Sequence, residues 1–123
     1  MAWKTATTGE FDEWFAELME DVRIEVAAAI GVLARVGPIL GRPLVDTLKS
    51  SKHSNMKELR VDECGQVIRI AFAFDPQRSA ILLVGGAKQG TNPRLFYKQL
   101  IRKADRLYDA HLQRISQRSA QGR

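Results

Sequence analysis

Residues 56–74, MKELRVDECGQVIRIAFAF, are the stretch that decides the fold. Polar and apolar residues alternate over Met56–Asp62 and over the start of Val67–Phe74, and Glu63-Cys64-Gly65-Gln66 lies between the two segments. Alternating segments that flank a glycine-containing turn predict a β-hairpin. One face of this hairpin is apolar, whereas the other carries charged residues beside small alanines.

The register of the hairpin places Arg60 directly opposite Arg69, whether the loop has two residues or four. Like charges in opposite positions destabilise a sheet by about 0.2–1 kcal/mol, so replacing Arg69 with alanine is expected to leave the hairpin folded or more stable. Two guanidinium groups over the small Ala71 and Ala73 indicate an anion, best matched by phosphate, as the missing partner. The alternative is that both arginines point into water.

A third strand extends the charged face. Asp75–Arg78 predicts a turn with proline in its favoured second position, and Ile81–Val84 predicts a central strand. Alternation through Leu82 and Val84 places Lys88 on the face of the arginines, at the end of the strand. Glycines around this lysine are expected to keep the backbone slim enough for a bulky ligand to approach, namely Gly85, Gly86 and Gly90.

A helix is predicted to follow this strand. Asn92 and Pro93 suit a helix N-cap and the first helical position, and Tyr97 lies just over one turn later, near the same sheet edge. Taken alone, Lys88 is most simply a solvated lysine and Tyr97 a packing residue. Their common position beside the arginines makes them candidates for one site.

These segments together resemble the RelE/HigB superfamily of toxins, and in particular its phage-derived HigB-like branch. The resemblance covers roughly residues 11–112 and is carried by K-E-L-R at 57–60, F-A-F-D-P at 72–76, G-G-A-K at 85–88 and Phe96-Tyr97 before a long helix. Members of the superfamily are small α+β proteins, and many cleave mRNA in the ribosomal A site until an antitoxin binds. The resemblance implies an α+β fold in which N-terminal helices and a C-terminal helix pack on a small twisted antiparallel sheet.

Length and composition agree with one small domain. The chain has 123 residues, of which 45% are hydrophobic, and we expect a domain over 1–115 and a basic polar tail over 116–123. No apolar run approaches the ~20 residues that span a bilayer and no signal peptide is evident, which predicts a soluble cytoplasmic protein. The single cysteine, Cys64, excludes an intramolecular disulfide, and we expect no metal or cofactor because no ligand spacing is present.

Charge is distributed unevenly along the chain. Residues 1–36 hold three basic and seven acidic side chains, residues 37–87 hold seven and five, and residues 88–123 hold nine and two, for a net charge of +5. A basic excess beside a phosphate-type site favours a polyanionic partner. The basic residues near the C-terminus are interpreted as solvated: Arg114, Arg118 and Arg123.

The N-terminal third is predicted to be helical. Apolar residues recur at helical spacing from Phe11 to Leu33, and Thr7-Thr8-Gly9-Glu10 offers the spacing of a capping box. The residues alone permit one long helix, whereas the family resemblance implies two helices with a break near Met19–Val22. Gly37-Pro38 is expected to end the helical run, and a short strand is plausible at residues 3–6.

Other conspicuous side chains in the sequence have structural interpretations. The acidic residues from Glu10 to Glu25 are interpreted as a solvated helix face. Trp3 and Trp14 are interpreted as packing residues. The two histidines, His53 and His111, are isolated in the sequence, and His111, on the predicted C-terminal helix, is best interpreted as a packed histidine.

The family resemblance implies RNA cleavage without a metal. The catalytic candidates are Glu58, Arg60, Arg69, Lys88 and Tyr97, and the candidate RNA contacts are Lys57, Arg94 and Lys98. Glu58 is assigned as the base, and the phosphate is assigned chiefly to Arg69 and secondarily to Arg60. Lys88 or Tyr97 is assigned to protonation of the leaving group or to substrate placement. A histidine that several superfamily members carry near the Phe-Tyr position is absent here.

The predicted function is that of a type II toxin acting as a ribosome-dependent mRNA endonuclease that inhibits translation. One alternative is a non-enzymatic ParE-like toxin of the same fold that inhibits DNA gyrase, and another is an inactive phage-derived nucleic-acid-binding module. The expected partners are mRNA, the ribosome and a cognate antitoxin of the helix-turn-helix type, with no membrane involved. A higher-order toxin–antitoxin complex is left open by the sequence.

Overall fold

Three helices and a five-stranded sheet make up the computed structural model, which describes residues 2–63, 65–88, 90 and 92–121. Cys64 of the predicted hairpin turn therefore lies outside the described residues. The elements in chain order are β1 (Lys4–Thr7), α1 (Gly9–Ala16), α2 (Glu20–Val36), a 3-10 turn (Gly37–Ile39), β2 (Val45–Thr47), β3 (Lys57–Val61), β4 (Ile68–Phe74), β5 (Ser79–Ala87) and α3 (Pro93–Gln121). The α+β class is as expected.

The β3–β4 hairpin has the predicted register. Arg60 is opposite Arg69, and the apolar pair Val61 and Ile68 closes the hairpin next to them. The turn is supported by a hydrogen bond of 2.9 Å from the Gln66 N–H to the carbonyl of Glu63. The alternation of residue types alone was therefore enough to align these two strands.

The strand order is β1-β5-β4-β3-β2, and two strands depart from expectation. The predicted short first strand is present as β1, but it pairs with β5 in parallel, so the sheet is mixed rather than wholly antiparallel. The unpredicted β2 pairs antiparallel with β3 at the other edge. Because β2 has three residues, it is too short to show alternation in the sequence.

A β-bulge in β5 corrects the predicted faces of that strand. Ala71 pairs with Val84, whereas its neighbour Phe72 pairs with Leu82, so Leu83 is the extra residue. Leu82 consequently packs with the core on the opposite face from the alanine, while Val84 packs on the alanine's face. The prediction that Leu82 and Val84 share the arginine face was wrong for Leu82, because the bulge interrupts the alternation between them.

Helices cover both faces of the sheet. Phe11 of α1 and Val26 and Leu33 of α2 pack against one face, in a core that includes Leu59, Ile70 and Phe72. The long α3 packs its own buried residues on the other face, among them Leu100, Ala104 and Leu107. In the described part of the chain, no helix is long and apolar enough to cross a membrane.

The N-terminal helical region is two helices, as the resemblance implied. The N–H of Glu17 closes the end of α1, and Met19, with an extended backbone, precedes α2. The helix cap is Thr8, whose side chain accepts a hydrogen bond of 3.0 Å from the Phe11 N–H. The cap is therefore one residue later than expected, and the capping box does not form because Phe11, not a glutamate, is at the third helical position. Gly37, at a φ of 77°, ends α2 where the Gly-Pro pair predicted.

The start of α3 was predicted correctly. The Asn92 side chain accepts the Arg94 N–H at 2.9 Å, which is the expected N-cap. The helix then continues for 29 residues to Gln121. Residues 116–121, predicted as the beginning of a polar tail, therefore continue the helix, while the domain boundary itself stays a prediction.

The paired glycines of β5 make room for aromatic rings of the protein itself. A Cβ atom on Gly85 would lie 2.4 Å from the Trp14 ring, and one on Gly86 would lie 3.1 Å from the Phe96 ring. The interpretation that Gly85 and Gly86 admit a bulky ligand was therefore wrong, whereas nothing lies within 4 Å of a Cβ atom built on Gly90. Trp14 is a packing residue as expected, and Trp3 likewise packs edge-on against Phe74 at 5.2 Å.

We predict that Gly85→Ala destabilises the protein by about 1–3 kcal/mol, because the added methyl group must displace the Trp14 ring. Gly41→Ala is the matched control, since nothing lies within 4 Å of a Cβ atom built on Gly41. Its free energy of unfolding should change by less than about 0.5 kcal/mol. Urea unfolding followed by tryptophan fluorescence measures both values. Equal stability of the two variants would contradict the packing argument.

Candidate functional site

Three of the predicted site residues meet where β3, β4 and the first turns of α3 come together. The Tyr97 hydroxyl donates a hydrogen bond of 2.8 Å to Oε1 of Glu58. The Nε atom of Arg69 lies 3.6 Å from the same carboxylate oxygen. Glu58 is opposite the small Ala71, which leaves space for the tyrosine to reach the sheet. We call Glu58, Arg69 and Tyr97 the central cluster.

Arg69 is buried, and its partners are carboxylates of the protein. Its side chain is 3% exposed, and Nη1 donates to Oδ1 of Asp62 at 2.5 Å and to the carbonyl of Ile68 at 2.8 Å. Desolvation lowers the pKa of Arg69, but the hydrogen bonds with Asp62 and Tyr97 outweigh it and leave the pKa above its ordinary value. The alternative of solvation was wrong for this arginine, because it is buried against Asp62. An external anion as a further partner of Arg69 stays a prediction.

Asp62 is the residue of this region that sequence reasoning missed. It directly follows β3, and its side chain is 55% exposed, in contrast to the buried arginine that it contacts. The signal was available, because an acidic residue one position beyond the Val61–Ile68 pair can reach diagonally across a hairpin. A substrate phosphate that approaches Nη1 of Arg69 has to take the place of this carboxylate.

Arg60 is separated from the central cluster despite its position opposite Arg69. It lines a different cavity of about 190 Å³, together with Leu44, Val61 and residues of α2. Among the described residues, the buried Nε atoms of both Arg60 and Arg69 have no hydrogen-bond partner, and no hydrogen bond or ion pair joins Arg60 to the cluster. The charge of Arg60 influences Asp46 at the β2 edge of the sheet. The pKa of Asp46 lies below its ordinary value, chiefly because of the hydrogen bond from the Thr47 N–H, next because of Arg42, and least because of Arg60.

Lys88 lies beside the central cluster. Its Nζ atom is 5.3 Å from the centroid of the Tyr97 ring, a cation–π distance. Burial raises the pKa of Tyr97, and the hydrogen bond to Glu58 raises it further against the opposing effect of Arg69. The phenol is therefore protonated at neutral pH and donates a hydrogen bond to the Glu58 carboxylate.

The three predicted RNA contacts do not form one group. Arg94 and Lys98 are exposed and line the same groove as Tyr97. Lys57 is paired with Phe72 and lies on the opposite strand face from Glu58, as alternation along β3 requires. Lys57 is therefore the one predicted contact that the fold places away from the site.

Both histidines, isolated in the sequence, have carboxylate partners in the structure. His111 is packed, as expected, and its Nε2 atom lies 2.8 Å from the buried Asp75. His53 forms the same type of contact with Asp109, also at 2.8 Å. Partners 36 and 56 positions apart in the chain leave no local signal in the sequence. Across the described residues, no group of three or more potential ligands is placed to hold a metal ion.

The geometry reverses the expected effect of removing Arg69. We predict that Arg69→Ala destabilises the protein by about 3 kcal/mol, because it leaves the buried Glu58 carboxylate without its cationic neighbour. Arg60→Ala, the matched control on the opposite strand, should cost less than about 1 kcal/mol. Adding Glu58→Gln to Arg69→Ala should recover part of the loss in a double-mutant cycle. Chemical denaturation of these three variants and of Glu58→Gln alone measures this, and an Arg69→Ala protein as stable as the wild type would support repulsion between the arginines instead.

Comparison with known proteins identifies the family. Residues 13–109 match the family described as "Phage derived protein Gp49-like (DUF891)". The Mycobacterium tuberculosis protein named "Putative toxin HigB2" is 44% identical over 109 residues, which are 88% of this chain and 54% of that protein. The one named "Putative toxin HigB3" is 48% identical over 96 residues, which are 78% and 82% of the two chains. This chain thus spans about half the length of HigB2.

Two solved structures share the fold. The free state of a doubly substituted E. coli toxin RelE superposes with a TM-score of 0.58 at 9% identity, covering 84% of this chain and 97% of RelE. A chain of the RelBE2 toxin–antitoxin complex from M. tuberculosis gives 0.52 at 17% identity, covering 71% and 99%. At such identities the likeness concerns the fold alone. With a RelE-like fold and a family match over most of its length, the chain belongs to the phage-derived Gp49-like, or HigB-like, family.

Proposed function

We propose that this protein is the toxin of a type II toxin–antitoxin pair and cleaves mRNA on the ribosome without a metal. The observation that carries the proposal is the central cluster, in which a carboxylate, a protonated phenol and a guanidinium meet beside Lys88. The toxin names of two relatives support the class of function. The basic excess of the chain supports a polyanionic substrate.

The proposed chemistry is an attack of the ribose 2′-oxygen on the adjacent phosphorus. Glu58 accepts the proton of the 2′-hydroxyl as the bond from that oxygen to phosphorus forms. The bond from phosphorus to the 5′-oxygen breaks, and the leaving oxygen takes a proton from Lys88 or Tyr97. The products are a 2′,3′-cyclic phosphate and a 5′-hydroxyl, so protons and electrons balance without a metal or cofactor.

The burial of the cluster refines the roles of the two arginines. Arg69 is 3% exposed, so its main contribution in this proposal is to position Glu58 and offset its charge. Contact between Arg69 and the phosphate requires Asp62 to move aside. Arg60 faces another cavity and has no part in the step. Lys88 and the exposed cations at the start of α3 are then the first positive charges that a substrate meets.

The same burial favours one competing function. In a toxin that acts through protein contacts alone, such as a ParE-like gyrase inhibitor, the central cluster closed by Asp62 would serve only to stabilise the fold. Such a toxin has no chemical use for a proton donor on Glu58. Tests of the proposal must therefore separate chemistry at the cluster from its effect on stability.

We predict that induced expression arrests growth and causes cleavage of translated mRNA. Tyr97→Phe should lower cleavage by about 10²-fold or more, because it removes the only hydroxyl that donates to Glu58 among the described residues. Tyr108→Phe is the control, since Tyr108 is the other tyrosine of α3. Tyr108 is buried, burial raises its pKa, and its hydroxyl accepts a hydrogen bond from Asn55 rather than contacting Glu58. Primer extension on transcripts with and without a start codon measures cleavage. Intact transcripts together with inhibited gyrase would favour the ParE-like alternative.

We further propose that the antitoxin, of the helix-turn-helix type, binds the acidic N-terminal helices rather than the basic face. The acidic residues of α1 and the start of α2 are exposed, as predicted. Two apolar side chains next to them are also exposed, Met19 at 73% and Ile24 at 58%. A basic DNA-binding protein would be attracted to this surface and repelled from the C-terminal cations.

Charge reversal of Glu13, Glu17 and Glu20 together should weaken the antitoxin complex by about tenfold and accelerate its dissociation, because each exposed pair contributes a fraction of a kcal/mol. Cleavage by the free toxin should be unchanged. Lys88→Glu is the comparison on the opposite surface. Biolayer interferometry measures the rates, and a loss of affinity confined to Lys88→Glu would move the antitoxin onto the basic face.

A further inference from the structure

A groove of about 940 Å³ runs along the outer face of α3, and Tyr97 of the central cluster lies at one end of it. The 50–52 loop flanks the groove. Most of the charged side chains that line it are cations, namely Lys52, Arg94, Lys98, Arg102 and Arg106. The central cluster accounts for Tyr97 only, so the remaining length of the groove has no role in the chemistry proposed above.

Four of these cations form a row on α3 with a spacing of four residues, from Arg94 to Arg106. Each step advances about 6 Å along the helix, so the row is about 18 Å long. Like charges four residues apart destabilise a helix, so the pattern is not explained by helix stability. Within the described residues, Arg106 has an ion pair with Glu10 at 3.6 Å, and the other three have none.

The two acidic residues in the groove do not neutralise this row. Asp105 accepts hydrogen bonds from the Ser51 hydroxyl at 2.5 Å and from the Lys52 N–H at 3.3 Å. Asp109 binds the Lys52 ammonium and His53, and the hydrogen bond from Lys52, followed by that from His53, holds the pKa of Asp109 below its ordinary value. Both carboxylates therefore bind residues 51–53 rather than the cations of the row.

We propose that the row from Arg94 to Arg106 binds the sugar–phosphate backbone of a single RNA strand beyond the bond that is cleaved at Tyr97. The proposal rests on the proposed function and adds a binding track to it. An extended single strand presents one phosphate per nucleotide, a repeat comparable to the step of the row, so the row takes about three phosphates past the cluster. Because the contacts are to phosphates, the track binds without sequence preference.

An acidic protein segment is the other occupant with complementary charge. A regular series of cations that continues from a phosphodiester-cleaving site fits a polyphosphate better. Binding of RNA therefore decides between the two.

The test uses the full chain and two variants that lose the same charge, Arg102→Gln/Arg106→Gln in the groove and Arg114→Gln/Arg118→Gln on α3 beyond it. The probe is a fluorescent 2′-O-methyl oligonucleotide of ten residues, which binds but cannot be cleaved. Its affinity is measured by anisotropy at several salt concentrations. The groove variant should reduce the slope of log K against log salt by about 1.4, which is 0.7 for each lost phosphate contact.

The control variant should keep the wild-type slope. The wild type and the control variant should bind the ten-nucleotide probe more tightly than a three-nucleotide probe of the same chemistry, and this difference in affinity should disappear only in the groove variant. Equal losses in both variants would overturn the proposal in favour of net charge alone. Unchanged RNA binding in the groove variant, with weakened binding of the antitoxin, would assign the groove to a protein segment. RNA binding as predicted, together with intact translated transcripts in the primer-extension assay, would leave the track standing and refute the proposed activity. Thermal unfolding verifies that both variants are folded.

Discussion

The rest of the site depends on the need to satisfy a buried guanidinium within a sheet that is covered on both faces. Because α3 closes the face that carries Arg69, this charge cannot be solvated, and its side chain is 3% exposed. Three separate elements supply its surroundings: Glu58 from β3, Asp62 from the hairpin turn and Tyr97 from α3. The interaction therefore fixes the turn and the helix relative to the sheet, and any function of Tyr97 inherits that geometry.

The parts of the fold that follow from local patterns could be predicted, and those that depend on distant contacts could not. The hairpin register follows from alternation, because a slip by one residue would turn Leu59 and Ile70 away from the core. The bulge at Leu83 leaves no comparable signal, since every residue of Ile81–Val84 is apolar and suits either face. The parallel pairing of β1 with β5 joins residues 75 positions apart, and only packing selects it.

The site shows the same division. Glu58, Arg69 and Tyr97 could be grouped from the sequence because face and helix position are local properties, although their roles stay proposals. The separation of Arg60 could not be foreseen, because a long side chain at a sheet edge can turn toward either of two cavities. The glycines were misinterpreted for a related reason: a missing Cβ indicates close approach, but not whether a ligand or an aromatic ring such as Trp14 approaches.

Burial of one set of charges and exposure of another assign them different tasks. A charge in a closed cluster exerts a strong, fixed field on its immediate neighbours, but a long polyanion cannot reach it without displacing Asp62. Exposed cations such as Arg94 and Arg102 act over a longer range and are weakened by salt. In the proposed function, capture of an RNA strand by the α3 row and chemistry at Glu58 and Tyr97 are therefore separable steps. A change in salt should alter how often substrate is captured, whereas substitution within the cluster should alter what happens to it afterwards.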